Sequence, residues 1–477
     1  MVPAIGRRYR ARSMVTSRPR RARVRRAFLI GGTAVVVALG SVTLGPVLSM
    51  PHLTDSIAVT VTPPPARTIV TPPPAAAAAA SPSPSMSQRP VLPASPSIPP
   101  TVTRPDGPRL TTAVRHALQA RLDGFRERYG IPGISAAILF PDGTSWTGVS
   151  GNADVAAAAP VTPSTGFAVA SVSKTFTAAL ILSLAEEGKI GLDAPARTYL
   201  PGLTKISTKI TVRQLLDHTS GLRDYFFHPS IDRLLLADRA KRWDRKTTMA
   251  YVGKPYFEPG RGWHYSNTNY YVLGLIAEAV GRASLADQLE ARFLGPLELD
   301  DTWYQPTAAA PTDVAHGYRF ASTATDAAPI DLSDGSAIVP FTSVVTAAGG
   351  AGGIAASARD LARWVQALYG GHVLRPTSLA AMLDVSDAGR YKPSVPYGLG
   401  AQIFDIDGRR TYGHSGRLLG FRSATRYLPA DGVAIAVLTN QSRTDPAGIV
   451  RSLLKVALAD PTPSPTPILP VPPIPLD

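Results

Sequence analysis

A serine and a lysine three residues apart, Ser171 and Lys174, stand where Phe167-Ala-Val-Ala-Ser171-Val-Ser-Lys174 runs into an apolar stretch that reaches Leu184. On a helix that spacing puts both side chains on one face, one turn apart. An ammonium beside a hydroxyl at a helix N-terminus can make the serine nucleophilic. Burial lowers the lysine pKa until it takes a proton, and the helix dipole favours the oxyanion side of the reaction. The spacing alone says little, because Ser452 and Lys455 repeat it inside a C-terminal apolar stretch that reads as plain helix surface. What singles out Ser171 lies downstream: Tyr265-Ser-Asn267 and then His414-Ser-Gly416. Each residue also has an ordinary reading. Ser171 could cap a helix above a solvated lysine, Tyr265 could be a core aromatic, Asn267 a helix cap and His414 a strand histidine.

The elements that must position these residues follow from periodicity. Thr111 to Tyr129 is an amphipathic helix, with Val114, Leu118, Leu122 and Phe125 on one side and Gly130 and Pro132 to stop it. Ile134 to Phe140 reads as a buried strand, Pro141-Asp-Gly143 as a hairpin turn, and Thr144 to Val149 as a second strand. A mostly helical middle follows, with the Ser171 helix, Val212 to Leu216, and Tyr270 to Val280. Ala347 to Gly353 is a flexible run of small residues that lets backbone approach a cleft. Ser357 caps a helix ended by Gly370-Gly371. Strand patterns return over Gly398 to Phe404, from Tyr412 onward, over Phe421 to Leu428 and over Val433 to Thr439, and a helix from about Pro446 to Leu458 closes the unit. The predicted fold is α/β (α+β): one antiparallel sheet with helices on its faces, a second mostly helical lobe, and a cleft where the two meet.

Composition bounds the rest. The chain has 477 residues and a net charge of +15, but ten arginines fall within the first 26 residues, so the remainder is only mildly basic. No later basic patch is interleaved with aromatics, which argues against nucleic acid as a partner. With no cysteines, disulfides and thiolate metal sites are excluded. No H-E-x-x-H spacing or nucleotide-type glycine loop appears, and neither metal nor organic cofactor is expected. The predicted organisation is a basic cytoplasmic segment over 1–26, a signal anchor or signal peptide over 27–49, a Pro/Ala/Ser-rich linker over 50–107, a catalytic unit over 108–459 and a Pro-rich tail over 460–477. Arg25-Arg26-Ala-Phe28-Leu29 is similar to a twin-arginine export signal. The expectation is a monomer tethered to the membrane with its catalytic unit outside, or secreted if the signal is cleaved.

Ser171-x-x-Lys174, Tyr265-Ser-Asn267 and His414-Ser-Gly416 resemble, in order, the three active-site motifs of penicillin-recognising serine hydrolases with the class C β-lactamase fold. The resemblance runs from about Arg109 to Ala459 and takes in Ile210-Thr-Val-Arg-Gln-Leu-Leu216 and His218-Thr-Ser-Gly-Leu222. Gly260 to Tyr270 and the His-x-Gly form of the third motif look most like a D-alanyl-D-alanine carboxypeptidase. The resemblance implies that Ser171 forms an acyl-enzyme, with Lys174 or the Tyr265 phenolate as base and Tyr265 returning the proton to the leaving group. It further implies that Asn267 holds the substrate amide and orients Lys174. His414, on an edge strand, keeps Tyr265 reactive, while Ser415 and Gly416 complete the binding motif and the N–H groups of Ser171 and Arg417 form the oxyanion hole.

The implied substrate is cell-wall peptide or a small acyl compound, with β-lactams as acylating agents. Two alternatives share the scaffold: a carboxylic-ester hydrolase or β-lactamase, and a penicillin-sensing module that never turns over. One departure bears on the choice. Where the carboxypeptidase carries an arginine for the substrate carboxylate, this chain has Gln402. That substitution predicts poor discrimination between a free C-terminus and its ester or amide. His218 and His264 read as structural, and Asp217 with His218 lacks the G-x-S-x-G elbow that a Ser-His-Asp triad of the hydrolase type would bring.

Overall fold

The computed structural model describes residues 110–322 and 327–459. The segments read above as anchor, linker and tail lie outside the described residues. Among the described residues no helix is long and apolar enough to cross a membrane.

A seven-stranded sheet organises the chain. Its order is Ala159–Pro160, Ser145–Asp154, Gly133–Leu139, Val433–Thr439, Phe421–Leu428, Arg409–Leu418, Gln402–Ile406, and every neighbouring pair is antiparallel. The central strand Val433–Thr439 is buried on both faces, which is why it reads as an unbroken apolar run. Its alternate residues serve two cores. Val433, Ile435 and Val437 meet Leu118 and Leu122 of the Thr112–Tyr129 helix together with Leu453 and Leu454 of the Ala447–Ala457 helix. Ala434, Ala436 and Leu438 face the larger core, which contains the Ala358–Tyr369 helix and continues into the helical lobe.

The Ser173–Glu186 helix runs through that larger core and is apolar on most sides because it is surrounded. Phe176 stacks on Trp364 with ring centres 3.9 Å apart, and the Trp364 indole N–H donates to Thr175 Oγ1 at 2.8 Å. Beside it lies the Asn267–Gly281 helix, which starts three residues before the expected Tyr270.

Three other expectations need correcting. The strand expected from Gly398 begins only at Gln402, because Gly400 turns with φ of 86° and Leu399 N–H is taken by Met382 O at 2.9 Å. The second strand extends to Asp154, beyond Val149. Ala347–Gly353 is not a loose run: it ends one helix, forms a 3-10 turn over Gly349–Ala351 and is buried throughout. Close approach is nonetheless what the glycines supply. A Cβ on Gly350 would stand 2.8 Å from the Tyr270 carbonyl oxygen.

Candidate active site

Ser171 sits in a one-turn 3-10 helix, Ala170–Val172, that feeds the Ser173–Glu186 helix. Ala170 is held at φ of 51°, a left-handed conformation uncommon for a residue with a Cβ. Two contacts pin this turn to the sheet, one from the Phe421–Leu428 strand and one from the third-motif strand beside it. Ser423 Oγ donates to Val169 O at 2.7 Å, and Gly416 lies so close that a Cβ there would meet Val169 O at 2.3 Å. Only glycine fits at the motif's third position.

Lys174 is fully buried, and its ammonium nitrogen has three neighbours: Asn267 Oδ1 at 2.7 Å, Ala351 O at 2.8 Å and Ser171 Oγ at 3.0 Å. The first two accept only. Asn267 has its amide nitrogen committed to Asp224 Oδ2 at 2.8 Å, which turns its oxygen toward the lysine. A neutral lysine therefore spends both N–H bonds on Asn267 and Ala351, and its lone pair points at Ser171. Burial lowers the lysine pKa to about 7, against the opposing pull of the Asp224 charge. The Asp224 carboxyl is itself pushed up by burial, while the N–H groups of Asn267 at 3.0 Å and Phe226 at 3.0 Å hold it down.

Tyr265 stands on the other side of Ser171. Its hydroxyl faces the serine without completing a hydrogen bond of normal geometry, and desolvation raises its pKa far above that of a free phenol. The phenol is therefore protonated at neutral pH, which favours it as a proton donor over a base.

His414 is wholly buried and fixed as one tautomer. Nδ1 lies 2.7 Å from Ser415 O and must carry the proton, so Nε2 accepts from the Tyr397 hydroxyl at 3.0 Å. Burial and the Lys174 charge bring its pKa down to about 3, so it stays neutral. Its hydrogen bond goes to Tyr397 and not to Tyr265, whose ring centre is 6.3 Å away.

The third-motif strand is not the sheet edge, contrary to expectation. Gln402–Ile406 covers it as far as Gly413, paired with Gln402. On that side, among the described residues, no strand pairs with it beyond that point, and the Gln402 side chain takes over by accepting from Ser415 N–H at 2.9 Å. Backbone N–H groups two residues apart point the same way, so Arg417 N–H faces the same open side. Arg417 and Ser171 line one cleft with Asn267, Phe226, Gly352 and Leu418. On the opposite face of the strand, Ser415 Oγ receives Arg426 at 3.0 Å.

The structure thus gathers Ser171, Lys174, Tyr265, Asn267 and Arg417 around one point, with His414 beside them, and gives Gln402 a use in closing the strand. The Ser-His-Asp alternative finds no support: Asp217 Oδ1 accepts from Thr219 N at 2.9 Å, and His218 Nδ1 accepts from Ser266 N at 3.2 Å. Sequence reasoning missed Asp224, Tyr397 and Ala351, whose roles arise from tertiary contact and carry no local pattern. One cluster among the described residues has metal-ligand types, Asp154, His316 and Asp331, with ligand atoms within 4.8 Å. It sits on the other flank of the sheet, where His316 Nδ1 and Asp331 Oδ2 are already bonded at 2.8 Å.

The described region is similar to known proteins over most of its length. The family model described as Beta-lactamase matches residues 118–459. Penicillin-binding protein 4 of Amycolatopsis lactamdurans is 30% identical over 337 residues, covering 68% of this chain and 84% of that protein. The D-stereospecific amidohydrolase of Streptomyces sp. superposes with a TM-score of 0.60 at 29% identity, over 72% of this chain and 98% of that one. The D-amino acid amidase of Ochrobactrum anthropi SV3, complexed with L-phenylalanine amide, gives 0.61 at 26%, over 72% and 98%.

Proposed function

The chain belongs to the beta-lactamase family of penicillin-binding-protein-like serine hydrolases, and from that premise we propose that it hydrolyses D-configured peptide ends as a D-alanyl-D-alanine carboxypeptidase does and is acylated by β-lactams. Neutral Lys174 takes the proton of Ser171 as Oγ attacks the scissile carbonyl. The oxyanion rests on the N–H groups of Ser171 and Arg417. Tyr265 gives its proton to the departing amine and regains one from the Lys174 ammonium, so the charges balance and the acyl-enzyme is left. Water then releases the acyl group through the same residues in reverse.

The observation that carries this reading is the hold on Lys174. Two obligate acceptors use its N–H bonds and leave the third direction to Ser171 Oγ. Preference for the D configuration rests on similarity to two enzymes described as D-specific. Those relatives also favour a second reading, amidase action on a free D-amino acid derivative. The cleft lining supports the first reading: no acidic residue is among those that form it, so a free α-ammonium meets no carboxylate there. Membrane attachment through residues 27–49 belongs to the same proposal.

Two measurements on the full chain test it. Intact-mass analysis after benzylpenicillin should show one adduct per chain, lost in Ser171→Ala and retained in Ser452→Ala. Amino-acid analysis should show D-Ala released from an N-acetylated D-Ala-D-Ala peptide faster than ammonia from D-alanine amide. An adduct that survives Ser171→Ala would sink the proposal, and faster turnover of the amide would move it to the second reading.

A further inference from the structure

We propose that His218 is the positioning residue that aims Tyr265 at Ser171, and that through Tyr265 it governs protonation of the leaving group. The proposal rests on the function argued above and adds to it a residue from His218-Thr-Ser-Gly-Leu222, a stretch the chemistry has not used so far.

His218 is wholly buried and adopts φ of 66°, a left-handed conformation uncommon for residues other than glycine, though histidine enters it more readily than most. Three holds on it fall on the Tyr265 segment, and Asn269 Nδ2 on the helix that follows adds a contact to Nδ1 at 3.2 Å. The His218 carbonyl accepts from His264 N–H at 3.1 Å, just before Tyr265. Its Nδ1 accepts from Ser266 N–H at 3.2 Å, just after Tyr265. Between them its ring lies against the Tyr265 ring, centre to centre 4.4 Å, at 38°. One histidine therefore grips the backbone on both sides of the tyrosine and presses on its face.

The ring's polar atoms fit a packing role. Because Nδ1 accepts, the proton is on Nε2, and Nε2 is buried without a hydrogen-bond partner. Rings surround the imidazole, with centre-to-centre distances of 4.8 Å to Tyr397, 5.3 Å to Tyr270 and 6.0 Å to Trp263, and aromatic rings offer an N–H only weak acceptance. Burial also keeps the imidazole neutral, so it adds no charge beside Lys174.

Tyr265 needs such a hold. Its hydroxyl faces Ser171 without a hydrogen bond of normal geometry, so the oxygen end fixes its direction only weakly. Its orientation is set by what touches the ring: His218 lies nearest, at 4.4 Å between ring centres, with Tyr397 edge-on at 6.1 Å, His414 at 6.3 Å and Lys174 Nζ 4.9 Å from the ring centre. Without the imidazole, the phenol can tilt away from Ser171 while the chain path is kept.

The test uses His218→Asn. Asparagine enters the left-handed region more readily than most residues, and its side-chain oxygen stands near the place of Nδ1, so the backbone grip is retained and the ring lost. Two substrates with one acyl group report on the leaving group: N-acetyl-D-alanyl-D-alanine, whose amine must be protonated, and N-acetyl-D-alanine p-nitrophenyl ester, whose phenolate need not be. The ratio of their kcat/KM values does not depend on the fraction of protein that is folded. We expect His218→Asn to lower the peptide-to-ester ratio by about 30-fold, through kcat and not KM, in line with a lost general acid. In a Tyr265→Phe background the same change should do nothing more to the ratio. His218→Phe, which keeps a ring against Tyr265 and loses the acceptor for Ser266, should hold the wild-type ratio. Equal loss on both substrates, an unchanged ratio in His218→Asn, a further drop in the Tyr265→Phe background or a fallen ratio in His218→Phe would each overturn the proposal. If Tyr265→Phe alone leaves the ratio unchanged, the failure lies in the role given to Tyr265 and not in the grip of His218.

Discussion

Lys174 and Tyr265 flank the same serine and are held in opposite ways. The lysine is fixed at its polar tip by three oxygens, and its long stem is buried in a helix core. The tyrosine is fixed at its ring by other rings, and its polar tip has no full partner. Burial acts on both, with opposite chemical consequences. For an amine it removes the charge and yields a base; for a phenol it keeps the proton on and yields an acid. The two desolvated groups therefore divide the proton work between them, and the division follows from charge type alone.

Four substitutions sharpen or break this comparison. The largest effect belongs to Lys174→Ala, which removes the base that acts as a unit with Ser171 and should slow acylation by benzylpenicillin about 10⁴-fold in stopped-flow measurements. Tyr265→Phe comes second and is selective. Peptide turnover should fall about 10²- to 10³-fold, and p-nitrophenyl ester turnover much less, because a good leaving group needs no acid. Equal losses on both substrates would erase the distinction between the two residues.

Asp224→Asn is smaller and tests the hold on Lys174. It weakens the bond that turns the Asn267 oxygen toward the lysine, so kcat should drop on the order of tenfold, the loss of about one charge-assisted hydrogen bond. It also removes the carboxylate charge that raises the lysine pKa. The base form then survives to lower pH, and the acid limb of the kcat/KM profile should shift downward. An upward shift would mean that Asp224 does not act on Lys174 through its charge. The smallest expected effect is that of Gln402→Ala. Freeing the Ser415 N–H should raise peptide KM by about threefold, a single neutral hydrogen bond at a strand edge, with kcat little changed.

Much of this arrangement was legible in the sequence because it is periodic. The strands Phe421–Leu428 and Val433–Thr439 and the helix Val212–Leu216 fall where their patterns put them, and Ser357 caps its helix through Asp360 N–H at 3.2 Å. Ser171 and Lys174 were legible because their spacing is a helical turn, and the copy at Ser452 and Lys455 does lie toward the surface of its helix. Asp224 and Tyr397 were not, because each sits in irregular chain and meets its partner only through the fold: Asp224 is 43 residues from Asn267, and Tyr397 is 17 from His414. The short sheet of Phe167–Ala168, Ile354–Ala356 and Thr302–Tyr304 was missed for a different reason, since strands of two or three residues are too short to show alternation. The strand ahead of Gln402 was overextended because the pattern of apolar residues continues through glycines that in fact turn the chain.

The central claim is that buried Lys174, and not the Tyr265 phenolate, removes the proton from Ser171. The most direct measurement is the second-order rate constant for acylation by benzylpenicillin between pH 5 and pH 10, followed by stopped flow on the wild-type chain and on Tyr265→Phe. The base must be deprotonated to act, so the rate should climb with unit slope at low pH, bend at about 7 and stay level above it. Tyr265→Phe should keep the same bend. A rate that goes on rising toward the ordinary tyrosine pKa of about 10, with that rise abolished in Tyr265→Phe, would make the phenolate the base and contradict the account.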